Sequence, residues 1–423
     1  VNPAIRGSED SMIATESIRG LFPALQACPD VLFDNAGGSQ VPASVADAIR
    51  DYMLTTYTQL GADYETSRRS TETVDRAHDF VNLFMNGVGR GKVVLGSSTT
   101  ALCIMLADCY RRAARNDRDE IVIAETAHEA NAGPWARLAG EGFRVRIWPL
   151  DPEAQELGLD ALAGLLSART AIVAFPHASN LLGRIEDAAA IARMAREAGA
   201  RVVVDGVAYA PHRAMDVAGI GADWYLYSTY KVFGPHMAAL FGTHEVLAGL
   251  EGPNHFFVPR TEIPYKFEPG GPSHEGCAGV LGLWPYLAAL AGAGSGEEPQ
   301  RSVIERAYAV IAERETALQA HLIGYLRSKP DVRIIGPAAT DPSRVSTVSF
   351  VHARKRSAEI ARAANQRRLG IRYGHFYAYR MCARLAEAGV LHDVEDGVVR
   401  VSLLHYNTIE EVERLLECFE TLL

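Results

Sequence analysis

The stretch "YLYSTYKVFGP" (225–235) carries an apolar and aromatic run into Ser228 and then presents one amine, Lys231. A desolvated lysine can serve as a base or bond covalently to a carbonyl group. Upstream, "RVVVD" closes an apolar run on Asp205. A carboxylate there would lose its hydration at great cost unless a cation met it. After "KVVLG" come Ser97, Ser98, Thr99 and Thr100. Hydroxyls and main-chain N–H groups at a helix start form a cup for an anion such as phosphate. His128 follows "IVIAE", and Asn180 follows "AIVAFP". Each has an ordinary reading alone: helix caps, a surface lysine, a capping acid. Their order after successive β-rich runs (anion cup, imidazole, amide, acid, amine) is harder to explain that way.

One ligand satisfies the whole series: pyridoxal 5′-phosphate. The amine would take its aldehyde, the acid would keep its pyridine nitrogen protonated, the hydroxyls would hold its phosphate, and the imidazole would stack on its ring.

The elements that must position these groups alternate in period. "KVVLG", "DEIVIAE", "FRVRIWPL", "TAIVAFP", "ARVVVDG" and "ADWYLYS" read as strands, and "TTALCIMLADCYRRAAR" and "DAAAIARMAREAGA" as helices, the latter closed by Gly199. This rhythm predicts an α/β fold whose large domain has a mainly parallel sheet flanked by helices. In such sheets ligands bind beyond the carboxyl ends of the strands, where the candidate residues fall. Turn-forming residues gather in "LAGAGSGEEPQRS" (290–302), and beyond them a long helix (about 302–328) precedes "VRIIG", "VSTVSFV", "VVRVSLL" and a final helix. The expected division is an N-terminal segment (1–30) packing with a small domain, a large cofactor-binding domain (31–292), and a smaller α/β C-terminal domain (293–423).

Composition narrows the class. A chain of 423 residues, 48% hydrophobic and 22% charged, is long enough for two globular domains. A net charge of −9 gives nucleic-acid binding no support. No run approaches the roughly 20 apolar residues of a membrane helix, and the first residues lack a signal-peptide core. Six cysteines without CxxC spacing suggest neither a zinc site nor a disulfide scaffold. A cytoplasmic location is expected.

Several longer motifs resemble the class V aminotransferase-fold enzymes, especially the cysteine desulfurase/selenocysteine lyase group. They are "LFDNAGGSQVP" (32–42), "IAETAHEANAGPW", "SNLLGRIED", the Asp205-to-Lys231 core, and "VVRVSLLHYNTIEEVERLL". Within that group the chain is most similar to the branch of cysteine desulfurase-like proteins, which "GGSQVP" and "YETSRRS" (64–70) fit. The resemblance implies a PLP-dependent transferase fold of type I, with Lys231 forming the Schiff base and shuttling the Cα proton. It implies that Asp205 pairs with the pyridinium and that His128 stacks on the ring. Asn180 would bind the phenolic oxygen or the substrate carboxylate, and Ser98, Thr99, Thr100 and Ser228 the phosphate. Arg400 would clamp the substrate's α-carboxylate in a bidentate pair. The segment "FEPGGPSHEG" (267–276) would reach the partner subunit's phosphate, which implies a homodimer.

Three departures bear on the reaction. Ala208 stands where desulfurases carry Gln. Tyr230 stands where they carry His, and its hydroxyl could still reach the phosphate. In the loop "IRYGHFYAYR", Arg372, Gly374 and His375 align, but Tyr377 holds the position of the thiol that accepts sulfur. Cys382, five residues on, reads as a packing residue. The expected function is therefore action on an L-amino acid with Cα proton abstraction. The lead expectation is a lyase cleaving C–S or another β- or γ-substituent, with Arg372, His375 and Tyr377 shaping the substrate pocket. An aminotransferase or epimerase is the alternative, and a non-catalytic cofactor-binding descendant a weaker one. Arg68 and Arg69 either contact substrate or start a helix.

Overall fold

The computed structural model describes residues 13–113 and 117–423. Residues 1–12 of the expected N-terminal segment, and 114–116 at the end of the expected "TTALC…" helix, lie outside the described residues. Seven strands form the main sheet: β1 (Gly91–Gly96), β2 (Glu120–Ala124), β3 (Arg144–Trp148), β4 (Thr170–Pro176), β5 (Arg201–Asp205), β6 (Trp224–Ser228) and β7 (Ala238–Thr243). Their order is β1-β7-β6-β5-β4-β2-β3. The pairs among β2 to β6 are parallel, while β7 runs antiparallel to both β1 and β6. Six of these strands follow the β-rich runs of the sequence. β7 was not expected, because "AALFGT" is short and small and has no alternation to mark it.

The sheet is covered on both faces, so its strands are apolar throughout. Successive residues still divide between faces: Val202 and Val204 join one core cluster, and Val203 the other. Helix α1 (Thr99–Arg112) leaves β1, α2 (Glu129–Ala136) follows β2, and α3 (Ala188–Glu197) follows β4. Beyond the end of α3, Gly199 adopts a left-handed φ of 76°. That conformation ends a helix at least cost when no Cβ is present. Among the described residues, no helix is long and apolar enough to cross a membrane.

A second, antiparallel sheet contains β8 (Val332–Ile335), β9 (Thr347–His352), β10 (Arg372–Gly374) and β11 (Val398–Ser402), in the order β8-β9-β11-β10. Helix α4 (Arg301–Arg327) runs between the two layers. Its first half places Val303, Ala307 and Ile311 in the main core, and its second half places Leu318, Leu322 and Leu326 in the core of the small sheet. Packing also crosses the other expected boundary. Ile18 and Phe22 of the N-terminal segment enter the main core, while Arg19 pairs with Glu411 of the last helix at 2.9 Å. Val31 and Phe33 belong to the small core, and residues 31–32 pair in parallel with 369–370. Short connecting stretches such as "LFDNAGG" have no period from which a core can be assigned.

Where α4 passes between the layers, a buried polar node ties them. His212 Nδ1 lies 2.8 Å from Glu315 Oε2, the Ser346 hydroxyl donates to the same oxygen at 3.0 Å, and the Leu403 carbonyl lies 2.9 Å from that hydroxyl. Removing the carboxylate takes the charged acceptor from two buried partners and leaves them only each other and the Leu403 carbonyl. Glu315→Ala is therefore expected to lower unfolding stability by about 2–4 kcal/mol. Urea titration followed by tryptophan fluorescence would measure this, and an unchanged midpoint would contradict the role given to the node.

Candidate active site

The carboxyl ends of β1, β2, β4, β5 and β6 open on one cavity. Ser98, Thr99, Thr100, His128, Asn180, Asp205, Ser228, Tyr230 and Lys231 all line it. It adjoins a cleft of about 770 Å³ to which Arg372, His375, Phe376, Tyr377 and Arg400 contribute. The structure thus gathers the residues assigned to cofactor and substrate, while Ser97 of the helix start lies outside both spaces. Their individual contacts differ from expectation in several places.

Lys231 follows β6 in a short 3₁₀ turn (Thr229–Lys231). Burial, then the nearby Arg400, lowers its pKa to about 8 against the opposing pull of Asp205 and Asp34. Asp205 ends β5, 5% exposed, between Pro176 and Leu226 of the flanking strands. Its recorded hydrogen bond is from the Val207 N–H to Oδ1 at 3.0 Å. Burial raises its pKa, with Val207 and Lys231 opposing. The chain turns sharply after it. A Cβ on Gly206 would come within 2.1 Å of the Tyr225 ring, so only glycine fits there.

His128 caps α2: its Nδ1 accepts from the Ala130 N–H at 3.0 Å. Burial, then Lys231 and Arg400, lowers its pKa to about 3. The ring is therefore neutral, and with Nδ1 accepting, its proton resides on Nε2. Ser98 caps α1 by accepting from the Ala101 N–H at 3.1 Å. The buried hydroxyls of Thr99 and Ser228 lie 2.7 Å apart, beside the free N–H groups of the helix start.

Asn180 lines the cavity, and its Nδ2 donates to the Phe376 carbonyl at 2.9 Å, a contact not expected from the sequence. Arg400, 3% exposed, is also committed. It pairs with Asp34 at 3.1 Å, donates to the Asn180 carbonyl at 3.3 Å, and lies 3.7 Å from the centre of the Phe376 ring. Burial lowers its pKa to about 10, still cationic at neutral pH. The free bidentate clamp expected of Arg400 is thus partly filled by the chain itself. Asp34 was not singled out by sequence reasoning, although it lies within the "LFDNAGGSQVP" motif.

The loop after β10 closes one side of the cleft. The Tyr377 carbonyl accepts from the Glu129 N–H at 2.8 Å, and Arg380 pairs with Glu129. Phe376 and Tyr377 hold left-handed φ values of 48° and 60°, a strain that surrounding contacts must sustain. Tyr377 is 66% exposed, with its ring 5.2 Å from that of His128. Ala208 lines the cavity without a donor. Cys382 packs in a helix beside Met381 and Leu385, and burial raises its thiol to about 12. None of the six cysteines lines the cavity or the cleft. Arg68 pairs with Glu65 at the start of a helix (Glu65–Phe84), and neither Arg68 nor Arg69 borders the cleft.

The family model for aminotransferase class-V matches residues 31–415. The chain belongs to this family. It is 38% identical to the aminotransferase-like protein FGM3 of Gibberella zeae, over 98% of this chain and 99% of that protein. It is 32% identical to the cysteine desulfurase-like protein ustD of Aspergillus flavus, over 95% of this chain and 89% of the relative. Its fold matches that of a cysteine desulfurase from Thermococcus onnurineus with a TM-score of 0.84 at 23% identity, covering 97% and 98% of the two chains. The class-V fold of type I makes pyridoxal 5′-phosphate the cofactor. The residues present fit it. Among the described residues Asp205 is a buried carboxylate with no ion-pair partner, and a ring cation would supply one. The hydroxyl-lined helix start suits a phosphate, and Lys231 shares the cavity. This class-V protein is a PLP-dependent lyase or transferase.

Two measurements test the electrostatics. The apo-protein's rate of recombination with PLP should rise as pH passes through about 8, where Lys231 loses its proton. In Arg400→Ala the inflection should move to higher pH, because a cation that lowers the lysine pKa is gone. A shift downward would contradict this reading. His128→Asn preserves a helix cap but removes the ring, so it should weaken PLP binding with little loss of stability. His128→Ala should in addition cost about 1 kcal/mol of stability.

Proposed function

We propose that the protein is a lyase acting on an L-amino acid, breaking a bond to a β- or γ-substituent without transferring sulfur to a protein thiol. One observation carries this reading: Asp205 and Lys231 line a cavity that adjoins the cleft of Arg400 and Tyr377, the residue standing where the family resemblance places a nucleophilic cysteine. When bound, PLP supplies an electrophilic aldehyde and a ring that withdraws electrons from the substrate's Cα. Thr99, Thr100, Ser98 and Ser228 hold the phosphate at the start of α1. Asp205 would pair with the ring nitrogen, and the neutral His128 would border the ring. Tyr230 bounds the cavity, its ring stacked on His236 at 4.5 Å.

Lys231 Nζ, neutral in part near pH 8, takes the Cα proton and can return it. Arg400 seats the substrate's α-carboxylate. His375 and Tyr377 bound the space left for the side chain. Asn180 acts mainly by holding the Phe376 carbonyl, and so the loop. Within the segment 267–276, residues 269–275 are exposed or half-buried, while Phe267 and Glu268 are buried. A homodimer that buries this region and places each cleft near the interface follows from the family resemblance, and sedimentation would test it.

An absorbance screen of amino acids against the holoenzyme tests the reaction. Release of ammonia and a keto acid from cysteine conjugates is expected, with loss of the visible band and of activity in Lys231→Ala. The name of the Gibberella zeae relative favours transamination as a second reading. Accumulation of pyridoxamine phosphate, reversed by a keto acid, would replace the lyase with it. Racemised substrate without side-chain loss would indicate an epimerase, and no spectral change with any amino acid would leave only cofactor binding.

A further inference from the structure

Arg400 and Arg372 face each other across the antiparallel pair β11 and β10, directly in register. Like charges in that relation repel. The carboxylate of Asp34 lies between them, with Oδ1 3.1 Å from Arg400 Nη2 and Oδ2 3.3 Å from Arg372 Nη1. Arg400 keeps Nη1 on the Asn180 carbonyl, and its buried Nε has no partner. The edge formed by Nε and Nη2 is the one that can give a carboxylate two parallel hydrogen bonds. Half of that edge is empty, and Asp34 holds the other half.

The Asp34 backbone is fixed. It bridges to Ser402, on the same strand as Arg400, and its carbonyl accepts from the Gly37 N–H. Its side chain is 31% exposed and that of Arg372 is 60% exposed, so both have room to turn.

We infer that Asp34 is a positioning residue that occupies the side-on edge of Arg400 until the substrate's α-carboxylate replaces it, the displaced Asp34 carboxylate then being held by Arg372. This rests on Arg400 as the carboxylate seat of the proposed function. The exchange trades one carboxylate for another, so the buried guanidinium is never left unpaired. It also selects substrates, because an amine without an α-carboxylate leaves Asp34 in place. Arg372 acts on Asp34 and not on the substrate.

Propionate, a carboxylate with no amine, isolates this step. Its affinity for the holoenzyme can be measured by calorimetry, without turnover. Asp34→Asn, nearly isosteric, is expected to bind propionate roughly tenfold more tightly, the scale of one charge-assisted hydrogen bond. Arg372→Ala should weaken binding several-fold when Asp34 is present and have no effect in the Asp34→Asn background. Unchanged or weaker binding in Asp34→Asn would overturn the inference. So would an equal loss from Arg372→Ala in both backgrounds, which would make Arg372 a direct ligand. Arg400→Ala is the separate control: undiminished propionate affinity there would remove the seat itself, and with it the underlying functional reading.

Discussion

A carboxylate at the end of a fully buried parallel strand is the constraint from which the cleft follows. Asp205 is held between two neighbouring strands by the sheet's register and, among the described residues, has one main-chain donor but no ion-pair partner. Such a group is tolerated when a charged partner completes its surroundings. The glycine after it lets Tyr225 pack close behind. The stack of His177 on Tyr209, 3.6 Å apart, and the 2.7 Å contact of His177 with the Tyr225 hydroxyl make that side of the strand rigid. The acid is thus aimed by packing, and the amine on the next strand is brought to the same space by one step of the sheet.

The other side of the cleft is built differently, from electrostatics and strain more than apolar packing. Arg400 is buried, held by one main-chain and one carboxylate oxygen with its Nε left unpartnered, and an aromatic ring covers its face. The loop from His375 to Tyr379 is fastened to α2 and to Asn180 through its carbonyls. Because the fastening uses backbone atoms, it depends little on which side chains the loop carries. Two layers with separate cores therefore meet across one cleft, and α4 and the His212–Glu315–Ser346 node fix how they meet.

The sequence showed the first side of the cleft far better than the second. Strand-end residues are legible because apolar runs stop abruptly on polar groups, and the sheet brings all such ends to one edge. That reasoning located Ser98, Thr99, His128, Asp205, Ser228 and Lys231 without any view of contacts. It could not see that Asn180 turns toward the loop, or that Asp34 stands between two arginines, because both depend on pairings between segments far apart in the chain. β7 escaped for a related reason. It owes its place to β1 and β6 on either side, not to its own composition. The packing of residues 13–34 with both cores is likewise a property of the assembled layers.

The loop geometry also bears on how such enzymes diverge. Position 377 contributes its carbonyl to the scaffold, and its side chain, 66% exposed beside the His128 ring, is not part of a core. A lineage could exchange a thiol for a phenol there by a single codon change, and the fold would scarcely register it. Any chemistry that depends on this side chain would thus rest on a half-open loop, while the acid and amine beneath it stay bound to the sheet.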